Sequence, residues 1–260
     1  MTRTLGTVLM LVLLLSMANV QASQGAPAEY HTVERFVEAL SAGDTRTVRD
    51  MLSPAATWVE YDVYLRVFAG RVDTMARLNE LVRGGVRLET ELVAIMGDGS
   101  MIITHERMWG DFVRDDLAPL RSTTSYVLDA DRLVAITRVL ATDQRDALTA
   151  SLAVGMWTFG VPTVYAHVFD ATNRVYSNLD DLRADRPHHV AEQFEVRDGI
   201  IMTVAGEGSE VCNPGERIVQ RVHVIDEDTL ILTVIREETE CAYFRQQYMT
   251  QSTLERFSDE

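Results

Sequence analysis

Three polar residues on two short segments have the side chains that proton chemistry needs. Glu60 closes the run Ala56-Thr57-Trp58-Val59-Glu60, and His105 and Arg107 lie within Thr104-His105-Glu106-Arg107-Met108-Trp109. A carboxylate can take a proton, an imidazole can give or take one near neutral pH, and a guanidinium is a fixed cation for developing negative charge. Both segments are rich in β-branched and aromatic residues and read as strands. Side chains alternate along a strand, so Trp58 and Glu60 share one face, while Ile103, His105, Arg107 and Trp109 share another. If the two faces converge, Glu60, His105 and Arg107 form an acid–base set walled by Phe36, Trp58, Trp109 and Tyr126. The alternative is structural: Arg107 neutralises Glu60 or Glu106, and the rings are core.

Other chemistries are excluded or weakened by what is missing. All 24 basic residues are arginine, which rules out a Schiff-base lysine and the lysine of a P-loop. His105-Glu106 would need a second His at position 109 to hold zinc on a helix, and that position is Trp. His188-His189 follows Pro187; neighbouring loop residues point apart, so a solvated surface is expected there rather than a metal site. Gly97-Asp98-Gly99-Ser100 and Gly206-Glu207-Gly208-Ser209 each lack the third glycine of a dinucleotide loop and read as turns. No metal ligand set and no cofactor site is therefore expected. Acidic residues outnumber basic ones 39 to 24, a formal charge of −15, so a nucleic-acid partner is not expected either.

The elements that would carry these residues can be read from periodicity. Val33, Phe36, Val37 and Leu40 lie at helical spacing, Gly43 ends that helix, and Asp44 can cap a second carrying Val48, Met51 and Leu52. Pro54 stops the second helix, Thr57–Tyr61 is a strand, and Gly70 precedes a third helix beginning near Asp73. Two hairpins follow: 88–96 with 101–109 around Gly97-Asp98-Gly99-Ser100, then 121–128 with 132–140 around Asp129-Ala130-Asp131. Beyond 142–152, a polar connector or short helix, only strands are expected: 164–169, 190–197, 200–205, 217–225, 230–236 and 242–250. The fold class is thus α+β, with helices on a curved antiparallel sheet over 30–141 and a barrel-like all-β domain over 153–252.

The first 22 residues read as an export signal. Arg3 is followed by an apolar run from Leu5 to Val20, and Val20-Gln21-Ala22 offers a small-x-small cleavage site. The run is shorter than the ~20 residues a membrane span requires, so no stable insertion is expected after cleavage. Export into an oxidising compartment favours a bridge between Cys212 and Cys241. If the hairpin over 217–236 is centred on Glu227, paired positions sum to 454, which sets 212 opposite 242 and makes the two cysteines neighbours.

The stretch Arg35-Phe36-Val37-Glu38-Ala39-Leu40-Ser41-Ala42-Gly43-Asp44, with Ala56-Thr57-Trp58-Val59-Glu60 and Gly70, resembles the nuclear-transport-factor-like superfamily of SnoaL-like cyclases, ketosteroid isomerases and limonene-epoxide-type hydrolases. The resemblance implies a cone-shaped pocket between helices and sheet. It puts Glu60 at the isomerase base, Phe36 in place of the oxyanion-binding Tyr, and Thr123 about where the protonated acid would stand. For the hydrolase Asp-Arg-Asp set it aligns Arg107 with the Arg, but Trp109 and about Arg138 replace the two Asp. Gly155-Met156-Trp157 resembles the Gly-x-Trp of lipocalin-type barrels, in which an Arg on a late strand packs over the Trp; Arg245 is the nearest counterpart. The expected function is an exported binder of a small apolar molecule, possible as a homodimer. The alternative is an isomerase, a dehydratase or cyclase, or an epoxide-type hydrolase with Glu60 as base.

Overall fold

A computed structural model describes residues 28–97, 99–159, 165–169, 173–246 and 252–257. The export signal expected over residues 1–22 lies outside the described residues. Two units separate: the first ends at Leu140 and omits Tyr61–Leu65, and the second comprises Tyr61–Leu65 and Ala141–Glu260.

The first unit opens with helix α1, Ala28–Ser41, which buries Tyr30, Val33, Phe36, Val37 and Leu40 along one stripe. It stops at Gly43, whose φ of 72° suits a residue without Cβ. Asp44 caps α2, Thr45–Met51, accepting the Thr47 backbone N–H at 3.1 Å and its hydroxyl at 2.6 Å. Leu52 already begins β1, Leu52–Tyr61, so Pro54 lies inside a strand rather than ending a helix. A short β2, Leu65–Ala69, precedes α3, Gly70–Arg83. The buried Thr74 hydroxyl sits 3.2 Å from both the Ala56 and Phe68 carbonyls, tying α3 to β1 and β2.

Four longer strands complete the sheet: β3, Arg87–Met96; β4, Met101–Trp109; β5, Leu120–Asp129; and β6, Arg132–Leu140. The strand order is β2-β1-β6-β5-β4-β3. Both expected hairpins are present, with Met96 opposite Met101 and Asp129 opposite Arg132. The core lies between the helices and one sheet face, where Phe36, Leu40, Met51, Trp58, Leu78, Leu81 and Ile102 are all nearly sealed from solvent.

In the second unit the polar connector folds as α4, Thr142–Ala153. Strands β7 (Gly155–Phe159), β8 (Tyr165–Phe169), β9 (Asn173–Tyr176), β10 (His189–Arg197), β11 (Ile200–Ala205), β12 (Arg217–Asp226), β13 (Thr229–Val234) and β14 (Ser252–Arg256) close into an eight-stranded barrel. Each strand pairs antiparallel with its sequence neighbour, and β14 pairs with β7, the up-and-down connectivity that leaves no open edge. A short α5, Leu179–Arg183, lies between β9 and β10. Asp198 and Gly199 both take positive φ, 53° and 68°, as a two-residue hairpin turn requires. Asp146 of α4 accepts both of their backbone N–H groups, at 2.8 and 3.2 Å.

A strand over 242–250 is not found. Ala242–Gln246 forms helix α6, and residues 247–251 lie outside the described residues. The β12–β13 register does obey the sum of 454, from Gln220 opposite Val234 to Val224 opposite Leu230. The ladder ends before it reaches the cysteines. Cys212 and Cys241 are bonded nonetheless, with Cα atoms 5.3 Å apart, because the loop before β12 and the chain entering α6 fold back to the same place.

Trp157 is fully buried, and its indole N–H donates to the Ala153 carbonyl at 2.7 Å. The arginine over its ring is Arg256 of β14, 4.4 Å from the ring centroid, and not Arg245, which is exposed and donates to the Glu240 carbonyl. Arg256 also donates to the carbonyls of Leu152, Val154 and Glu227 at 2.9, 3.3 and 3.0 Å. One planar cation thus joins α4, the β12–β13 turn and the Trp. Arg256→Ala is expected to cost the barrel about 2–4 kcal/mol. Arg256→Lys should recover little of it, since an ammonium cannot make the same fan of bonds; a urea midpoint equal to wild type for either variant would contradict this.

Candidate functional site

On β1 the alternation sends Ala56, Trp58 and Glu60 into the core. On β4 the inward residues are Ile102, Thr104, Glu106 and Met108. This reverses the expected face. His105 and Arg107 point outward and are exposed. On that outer face His105 lies opposite Glu91, Arg107 opposite Glu89, and Trp109 opposite Arg87. Arg107 pairs with Glu89 at 3.3 Å, the Arg87 guanidinium stacks 4.4 Å from the Trp109 ring, and His105 Nδ1 meets the Thr123 hydroxyl at 3.3 Å. These are ordinary cross-strand contacts. Of the expected site residues, Glu60, Trp58, Phe36 and Tyr126 share the core side, while His105, Arg107 and Trp109 do not join them. Thr123, placed by resemblance at the protonated acid, is on the outer side as well.

Glu60 is held by arginines other than Arg107. The Arg77 Nε and Nη2 lie 3.1 and 3.0 Å from its Oε2, the Arg66 guanidinium reaches the same oxygen at 3.3 Å, and Arg138 approaches Oε1 at 3.8 Å. Burial alone would raise the Glu60 carboxyl, but Arg138, Arg77 and Arg66 together hold it below its ordinary value. A carboxylate so held is a weak base.

The second buried carboxylate is Glu106, which the sequence offers only as a counter-ion for Arg107. Its Oε2 accepts the Thr124 hydroxyl at 2.8 Å, and its Oε1 accepts the Thr104 hydroxyl at 3.3 Å and a short bond from the Tyr126 hydroxyl. Burial, and then the charge and hydrogen bond of Glu106, push the Tyr126 hydroxyl well above its ordinary value. Tyr126 is therefore a donor that keeps its proton. Phe36 packs edge-on against it, ring centroids 6.0 Å apart. The only sequence signal for this cluster was the shared parity of Thr104 and Glu106 on one strand and of Thr124 and Tyr126 on the next.

Among the described residues, four buried polar atoms on the inward side have no hydrogen-bond partner: Trp58 Nε1, Glu60 Oε1, Thr90 Oγ1 and Ser122 Oγ. Thr90 and Ser122 lie opposite Glu106 on its two flanking strands. The inner sheet face thus carries two carboxylates, the cation Arg138 and a row of hydroxyls, several with bonding capacity unused.

In the second unit, His188 and His189 do point apart, meeting Ser177 and Ser209 respectively. His189 is not solvated, however: it is the first residue of β10 and is fully buried. Glu216 lies close to Cys212 and Cys241, but the sulfurs are bonded to each other and its carboxylate accepts from Asn213. That group does not suit a metal.

No family model and no curated relative matches the sequence. Solved structures do match, over somewhat less than half of the chain. A LEH-like epoxide hydrolase of M. tuberculosis is 20% identical with a TM-score of 0.36, covering 45% of this chain and 85% of that one. An NTF2-like protein of unknown function from Burkholderia pseudomallei is 19% identical with a TM-score of 0.39, covering 47% and 98%. The epoxide hydrolase/cyclase-like enzyme SalBIII is 16% identical with a TM-score of 0.38, covering 45% and 92%. The matched proteins are of the groups that residues 30–141 resemble.

Proposed function

We propose that the first unit binds a small molecule with an apolar body and an uncharged polar head carrying both a hydroxyl and a carbonyl. One observation carries this reading: Trp58 Nε1, Glu60 Oε1 and Ser122 Oγ are buried on the inner sheet side without a hydrogen-bond partner among the described residues. Each such group costs roughly 1–3 kcal/mol if left unsatisfied. Trp58 and Glu60 are two residues apart on one strand, about 7 Å, so a head group can accept from the indole N–H and donate to the carboxylate at once. The ring walls of Phe36, Trp58 and Tyr126 suit the apolar body.

A panel of small hydroxyketones and hydroxylactones, titrated by calorimetry, tests this directly. Trp58→Phe keeps the ring and removes the N–H, so affinity for the best probe should fall about tenfold. Equal affinity, or a wild-type protein that binds none of the panel, rejects the reading.

The Glu106–Tyr126 pair favours a second reading, in which the bound carbonyl compound undergoes proton transfer. Glu106 would move the proton, and the single Tyr126 O–H, which now donates to Glu106, would turn to the substrate oxygen. This replaces Glu60, which its three arginines make a poor base. Turnover of a bound probe that survives Glu106→Gln unchanged would remove Glu106 from that role. We also infer export, since a disulfide between Cys212 and Cys241 is the kind of bond an oxidising compartment preserves.

A further inference from the structure

The second unit has two apolar clusters. The larger one contains Trp157, Phe169, Leu230 and Leu254. The smaller one is made by Cys212, Ile218, Val234, Cys241 and Phe244, with Tyr243 packed at its edge. Helix α6 supplies Phe244 and Tyr243 and is only five residues long. A helix that short has no stability of its own and stays folded through what its side chains pack on. One such contact is with His189, whose ring meets the Phe244 ring in a T-shaped arrangement, centroids 5.4 Å apart.

His189 is sealed from solvent, and its surroundings hold nothing that suits a charged ring. On β9 Val175 stands directly opposite, and Arg174 pairs with Val190, the next residue of β10. The loop after β11 brings the Ser209 hydroxyl to 2.9 Å from Nδ1, and that hydroxyl also accepts the Cys212 backbone N–H at 3.2 Å. The loop's carboxylates lie elsewhere: Glu207 and Glu210 are exposed, and Glu216 accepts from Asn213. From α6 come Phe244 and, against it, Tyr243, while Arg245 turns to the Glu240 carbonyl. Among the described residues, Nε2 has no hydrogen-bond partner. A protonated ring carries an N–H on both nitrogens, so the one at Nε2 would be buried without an acceptor and with no counter-charge. Burial, and then the neighbouring His188, lower the His189 pKa from 6.5 to about 4.

We propose that α6 and the loop around Ser209 are a latch that acid releases: protonation of His189 frees Phe244 from the barrel and exposes the smaller cluster, while the larger one stays closed. The Cys212–Cys241 bridge ties the loop to the chain entering α6, so the two parts leave together and can return. Because the closed form excludes the proton, its stability is complete above the unfolded value of 6.5 and is lost as pH falls from there toward 4. The opening constant should rise about 25-fold between pH 7.5 and pH 5. Carboxylates stay charged over that window, Glu60 included, since its carboxyl is held below its ordinary value. His188, lowered chiefly by burial, is the other histidine at this place and needs its own control. The device depends on no ligand of the first unit.

Amide hydrogen exchange of the oxidised protein, corrected for its intrinsic pH dependence, measures this opening segment by segment. In wild type the amides of Ser209–Cys212 and α6 should open about 25-fold more at pH 5 than at pH 7.5, with those of β12 and β13 unchanged. His189→Gln should abolish the rise, and His188→Gln should keep most of it. Should the His189 variant fail to fold, the imidazole nitrogen shifts of wild type decide: His189 should titrate below pH 5, with the α6 signals moving at the same midpoint. The proposal is overturned if opening of α6 rises less than about threefold over that range, if β12 and β13 open along with it, or if the rise survives in His189→Gln. It is overturned as well if His189 titrates with α6 unmoved.

Discussion

Glu60→Ala should destabilise the first unit by about 3–5 kcal/mol, the cost of stripping the partner from a buried charge. The carboxylate is 5% exposed, while Arg77 and Arg138 beside it are 18% and 10% exposed. Removing it leaves two largely buried guanidiniums facing each other, with Arg66 at the margin. Hydrogen exchange of the β1, β5 and β6 amides reports this unit alone, and protection should fall by two to four powers of ten, the same free energy on a logarithmic scale. The pH dependence has a definite sign. Because the folded carboxyl lies below its unfolded value, its contribution is complete above the unfolded pKa. It is lost as pH falls through the folded one. Acid unfolding of the Glu60→Gln protein should lack that component. If exchange protection in the alanine variant matches wild type, the three-arginine arrangement contributes nothing to stability.

The second large effect is on the barrel. Cys212 and Cys241 close a loop of 29 residues that contains β12 and β13. Removing the bridge by paired serine substitution should cost about 3–4 kcal/mol through the regained freedom of the unfolded chain. There is also a local consequence. The Cys212 backbone N–H holds Ser209, and Ser209 orients His189. The serine pair should therefore shift the His189 imidazole signals even at temperatures where the barrel is fully folded. A urea midpoint and imidazole spectrum both equal to wild type would show that the bridge neither stabilises the barrel nor holds this loop.

Much of this architecture is legible in the chain itself. The stripe Val33, Phe36, Val37, Leu40 names its helix, the glycine and aspartate turns place the hairpins, and a register centred on Glu227 is correct across β12 and β13. These are local signals: helical periodicity, positive φ at turns, and the fixed two-residue alternation of strands. The change from helices and strands to strands alone was enough to separate an α+β unit from a barrel.

The site was less legible, and β4 shows why. Its two faces are Ile103, His105, Arg107, Trp109 and Ile102, Thr104, Glu106, Met108, and each mixes apolar with polar residues, so hydrophobic alternation does not say which is inward. The choice is made by what packs above the strand. Helix α1 packs on β3 and β4 over the face carrying Glu106, where Thr104, Thr124 and Tyr126 can satisfy a carboxylate. The other face has Glu89 and Glu91 across the strand, which suit Arg107 and His105 in water. The same holds for Glu60, whose arginines come from β2, α3 and β6, and for Trp157, whose arginine is 99 residues away rather than the nearer Arg245. Sequence by itself determined the helices and hairpins of the first unit and the hairpins β10–β11 and β12–β13, because each is set by contacts within a few residues, but it gave 242–246 as strand where a helix forms. Which charges meet was decided only by tertiary structure, because a buried ion pair depends on strands and helices far apart in the chain arriving at one place.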